Sequence, residues 1–166
     1  MLCAFLYHLR FTFSGAGGRM EAINEGSLFM ITPLPSQAIE PFVRECLGCA
    51  CPAEVFAELE SDIRVLSGIQ YQRLLAGQRL LVYLILDEDC LNRADLLSQL
   101  HRQGVAERNS AGYNRLRIVI PAELGESIRS ELIARFADLA EGDQKVHLHF
   151  VPQERLGPYR VAAGQS

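Results

Sequence analysis

The run Arg79-Leu-Leu-Val-Tyr-Leu-Ile-Leu86 constrains the fold of this chain more than any other segment. Side chains on a strand alternate between two faces, and from Leu80 to Leu86 neither face carries a charge. A run that is apolar on both faces marks a central strand. On its N-terminal side, Ala76-Gly77 connects it to Ile69–Leu75, and Ser67-Gly68 connects that run to Ile63–Leu66. Glycine-containing links between β-type runs read as hairpins.

On the C-terminal side, Asp87-Glu-Asp89 closes the strand. Leu91–Gln103 reads as a helix with Leu96, Leu97 and Leu100 inward and Gly104 as its stop. Val105–Arg108 is a weak strand, and Asn109–Gly112 has turn chemistry suited to a hairpin. Tyr113–Ile120 is a strong strand halted by Pro121. Ala122–Ala140 is the clearest helix, with Leu124, Ile128, Leu132, Ile133, Phe136 and Leu139 in one stripe and Glu131 paired with Arg135 outside it. Lys145–Val151 is a final strand.

From Arg79 onward the order is therefore strand, helix, strand, strand, helix, strand. This predicts an α+β protein with a ferredoxin-like (βαββαβ) antiparallel sheet and helices on one face. If Val105–Arg108 is not a strand, the same stretch is instead a βαβαβ unit with a parallel sheet. The 63–75 arm adds a strand to the sheet, covers its open face, or exchanges with a second subunit. Before it lie a short strand at 27–32 and two short helical pieces separated by Gly48-Cys-Ala-Cys51. Pro52 reads as the first position of the second piece, with Cys51 at its N-cap and Glu54 as a capping-box acid. The expected organisation is a cysteine-bearing helical segment over 20–60, a core over 61–151 and a flexible tail over 152–166.

Composition narrows the functional classes. The 166 residues suit one domain. A net charge of −4, with pI near 5.6, argues against a broadly basic nucleic-acid or membrane-surface binder. No run approaches the ~18–20 uninterrupted apolar residues a membrane helix requires. Residues 1–19 are apolar, but Arg10 follows the apolar stretch rather than preceding it, unlike a secretory signal. They read either as a genuine N-terminal strand or as an over-long gene start with Met20 as initiator. Gly17-Gly18 could encode a ribosome-binding site upstream of Met20. All but one of the 16 basic residues are arginine, which suits a GC-rich genome prone to such extensions. A cytoplasmic location is the resulting expectation.

Two local features carry chemistry. The first is Cys46-Leu-Gly-Cys49-Ala-Cys51-Pro52, which holds three of the five cysteines. Thiolates at such spacing converge on one zinc ion or iron–sulfur cluster, with Cys90, His147, His149 or a second subunit completing the set. A cysteine at a helix N-terminus also feels the dipole, which lowers its pKa from about 8.5 and suits thiol redox chemistry. The plainer alternative is that these are small apolar residues buried where two helices meet.

The second feature is a basic strand face. Tyr113, Arg115, Arg117 and Val119 alternate with Leu116, Ile118 and Ile120, and His147 and His149 share one side of the final strand. If helices cover the apolar side, the open face presents arginines, histidines and Tyr113, with Tyr83 or its neighbours among them. Such a face suits a small anionic ligand or a homo-oligomer contact. It matches the RNA-recognition signature poorly, because Asn114 and Arg115 stand where further aromatics belong. Asp87 and Asp89 could hold magnesium but more often end a strand and cap a helix. No G-x-S-x-G, H-E-x-x-H or phosphate-loop pattern assigns an enzyme class. The sequence thus supports either a metal-binding or redox accessory protein built on the cysteines, or a non-catalytic binding or self-assembling module built on the sheet face.

Overall fold

The computed structural model describes residues 32–86, 90, 93 and 95–160. The readings made on residues 1–19, on Met20, on the strand at 27–31 and on Asp87–Asp89 lie outside these. Five strands form one sheet in sequential order: β1 (Leu59–Leu66), β2 (Ile69–Ala76), β3 (Leu80–Ile85), β4 (Arg115–Ile120) and β5 (Val146–Phe150). The first three form an antiparallel meander, whereas β3, β4 and β5 pair in parallel. Around the sheet lie α1 (Ser36–Glu45), a 3₁₀ turn (Ala53–Phe56), α2 (Leu96–Ala111), α3 (Glu126–Ala140) and α4 (Gln153–Arg160).

Both glycine-containing links are hairpin turns. At the first, Ser67 and Gly68 take φ of 52° and 81°, the pair of positive values that a two-residue turn matched to strand twist requires. At the second, Gly77 has φ +53°, and its N–H donates to the Glu58 carbonyl at 2.8 Å. A Cβ on Gly77 would lie 2.6 Å from the Val55 carbonyl oxygen, so a side chain is barred by contact as well as by conformation.

All six residues of β3 are buried, as its doubly apolar pattern demands, and the cover comes from both sides. On one face Val82, Leu84 and Val119 pack against Ile39, Phe42 and Val43 of α1, Phe56 of the turn and Leu156 of α4. On the other, Tyr71, Tyr83, Ile85, Leu116 and Ile118 pack against Leu97 and Leu100 of α2 and Phe136 of α3. The protein is an α+β molecule with its sheet between two helical layers. No helix among the described residues is long and apolar enough to cross a membrane.

The ferredoxin-like antiparallel order is not adopted. Val105–Arg108 lies inside α2, which continues through Gly104 to Ala111. Gly104 does not stop the helix; it lets the helix sit close to the sheet, since a Cβ there would lie 2.5 Å from Leu116 Cδ2. The true stop is Gly112, at φ +76°, with its N–H on the Arg108 carbonyl. The chain from β3 onward is therefore the parallel βαβαβ alternative, and the 63–75 arm extends the same sheet as β1 and β2.

Two further expectations change. Residues 153–160 of the expected tail form α4, which buries Leu156 and sets Tyr159 against Phe42 and Glu45. The stripe on α3 is only partly used: Phe136 is buried, while Ile128 and Ile133 are exposed.

Candidate anion-binding site

The cysteine loop begins where α1 ends. Cys46 closes the helix with its N–H on the Phe42 carbonyl, Gly48 takes φ +63°, and the Cys49 N–H returns to the Val43 carbonyl at 3.2 Å. Arginines hold both ends of the following stretch. Arg117 Nη1 donates to the Leu47 carbonyl. Arg44 Nη1 donates to the Cys51 carbonyl at 2.8 Å, with its guanidinium 4.6 Å from the centre of the Phe56 ring. Cys49 and Cys51 are joined as a disulfide.

This loop walls one side of a cavity of about 380 Å³. The opposite wall carries Arg79, Asn114, Arg115 and Arg117, and Pro52, Val55 and Leu80 supply apolar surface. Arg79 sits where the β2–β3 turn enters β3, and Arg115 and Arg117 point to one face of β4 by strand alternation. The Asn114 carboxamide, turned with its oxygen toward Arg79, accepts from Nε at 3.1 Å and from Nη2 at 3.3 Å. None of these three arginines is ion-paired among the described residues.

Arg117 is the unusual member. Three arginines are buried in the described structure: Arg73, Arg108 and Arg117. Arg73 reaches Glu107 at 2.5 Å, Asp62 at 3.3 Å and Glu60 at 3.4 Å, and Arg108 reaches Asp143 at 2.6 Å. Arg117, only 7% exposed, has no carboxylate and its Nε has no partner. Burial first, and then the neighbouring Arg115 charge, lower its pKa. Its Nη1 also lies 3.0 Å from His149 Nε2. A guanidinium can only donate, so His149 must be neutral with Nε2 as the acceptor. That state is enforced: burial, then Arg117 and His147, push the His149 pKa down to about 4.

The residues singled out in the sequence separate accordingly. Cys49, Cys51, Arg115 and Arg117 meet at the cavity. Cys46 is half-buried against the α1-side core, outside the cavity lining. Cys90 is buried in the opposite layer, beneath α2, so it is not placed to complete a ligand set with the others. His147 and His149 line a groove along edge strand β5 with Ile133 and Phe136. Tyr113 and Tyr83 belong to the α2 side, where the Tyr113 hydroxyl lies 3.5 Å from Arg73 Nη2 and Tyr83 donates to Glu107.

The basic face is only partly covered: α1 and α4 pack on its apolar part, around Val82, Leu84 and Val119, and Arg117 is buried, whereas Arg115 stays exposed and His147 and His149 are half-buried. Cys51 is not a helix N-cap; the turn after Pro52 is a single 3₁₀ turn, and Cys51 is in the disulfide. Among the described residues no three Cys, His, Asp or Glu side chains form a group that could hold a metal ion. Arg79 and Asn114 escaped sequence reading. A lone arginine opening an apolar run looks like a strand boundary, and only the fold brings it beside Arg115. No protein-family model, curated protein or solved structure matches this chain.

Proposed function

We propose that this protein is a binding module for a small anion, held by Arg117, Arg115 and Arg79 against the Cys49–Cys51 loop. The observation that carries the reading is the burial of Arg117 without a carboxylate beside it. Burying an unpaired charge costs several kcal/mol even after relaxation, and an anion in the cavity supplies the missing counter-charge. Guanidinium groups match carboxylate and phosphate oxygens in geometry. Pro52, Val55 and Leu80 leave an apolar wall for a carbon body attached to the charged group.

A zinc or iron–sulfur role for Cys46, Cys49, Cys51 and Cys90 has less support, since a disulfide presents no thiolate and Cys90 lies in the other layer. Self-association through the sheet face is also less supported, as α1 and α4 cover its apolar part. A cytoplasmic location remains part of the reading.

Isothermal titration calorimetry with inorganic phosphate and with succinate tests this. At low ionic strength one or both should bind saturably at one site per chain. Binding should weaken about tenfold in Arg115→Gln, an exposed position where folding is not at stake, and weaken as salt screens the charges. Absence of saturable binding by either anion refutes the reading.

A further inference from the structure

The Cys49–Cys51 disulfide raises a question that anion binding leaves unanswered. It closes a very short loop, with a sequence separation of 2, so it removes little entropy from the unfolded chain. Nor is it needed to hold the loop, because Arg117 on the Leu47 carbonyl and Arg44 on the Cys51 carbonyl already do so. Its two cysteines instead line the cavity with Arg79, Arg115 and Arg117. Cys51 is partly exposed and Cys49 is buried, 8% exposed, so Cys51 is the more accessible residue of the pair.

We infer that this cavity is a thiol–disulfide exchange site for low-molecular-weight thiols that carry a carboxylate. The inference rests on the anion-binding reading and assigns its ligand class. The arginines hold the carboxylate and favour the thiolate form of the bound thiol. That thiolate attacks Cys51 Sγ: a bond forms between the two sulfurs, the Cys49–Cys51 bond breaks, and Cys49 leaves as a thiolate that takes a proton from solvent. A second thiolate attacks the sulfur of the bound thiol, releasing the symmetrical disulfide and leaving Cys51 to be protonated in turn. Two thiols are oxidised to one disulfide and the protein pair is reduced by the same two electrons. The oxidised form of the same thiol drives the reverse reaction. A disulfide in a cytoplasmic protein is commonly of this transient, exchanging kind.

The test uses the oxidised full-length chain with two probes, 3-mercaptopropionate and uncharged 2-mercaptoethanol. Samples are quenched with maleimide, and intact mass counts the alkylated thiols over time. Compared at equal thiolate concentration, 3-mercaptopropionate should reduce the pair about tenfold faster at low ionic strength. The preference should disappear in Arg115→Gln, in Arg79→Gln and in excess inorganic phosphate. Equal rates, faster reduction by 2-mercaptoethanol, or an oxidised chain without the Cys49–Cys51 bond would overturn the inference. Anion binding in calorimetry with no rate preference removes this inference alone, whereas loss of anion binding removes the reading beneath it.

Discussion

The charge of Arg117 helps to hold His149 neutral. Arg117 Nη1 donates to the Leu47 carbonyl, and the His149 ring nitrogen 3.0 Å from it can accept only while the histidine is neutral. The folded His149 pKa, near 4, lies below the ordinary value of 6.5, so the unfolded chain binds the extra proton between those limits. Stability from this group is therefore fully present above about pH 6.5 and is lost as pH falls toward 4, by about 3 kcal/mol at most. His147 and His101, whose pKa values burial also lowers, act in the same sense. Urea denaturation between pH 4 and 7 should show this slope, and His149→Gln should flatten it; an unchanged slope contradicts the account. Strand alternation was enough to group Arg115, Arg117, His147 and His149 from sequence. The burial of Arg117 was not legible, because it is held by the Leu47 carbonyl, 70 positions away in the chain.

At the scale of elements, α2 shows why the strand order was misread. Gly104 and Gly112 have the same composition signal but opposite roles: one permits contact and the other ends the helix. Only the position of Leu116 and Tyr83 beneath the helix distinguishes them. If Gly104 were merely tolerated in the helix, Gly104→Ala would stabilise the protein by about 1 kcal/mol. Contact of the new Cβ with Leu116 and Tyr83 should instead produce a net loss of about 1 kcal/mol, read from the urea midpoint, and a gain contradicts it. The β1–β2 hairpin is tied to the same helix through Arg73, Asp62 and Glu107, where the carboxylates outweigh burial and raise the Arg73 pKa. Such a lock joins residues 34 positions apart between Arg73 and Glu107, beyond the reach of local periodicity.

For the whole molecule, the central strand carried more information than the strand order inferred from it. A run apolar on both faces implies cover on both faces, and the helices do lie on both sides of the sheet. The ferredoxin-like reading placed them on one and left a basic face open. Covering part of that face converts a surface into a cavity, bounded by the cysteine loop from one layer and by arginines from the sheet. The two sequence features that were read as rival functions are thereby parts of one site. The most direct test follows the protein's arginine Nε–Hε and backbone amide resonances while inorganic phosphate and succinate are titrated in turn. Saturable shifts are expected with one or both, confined to Arg79, Arg115, Arg117 and residues 48–51. Shifts spread evenly over exposed arginines such as Arg64 and Arg93, with Arg117 unmoved by either anion, would contradict anion binding at the cavity.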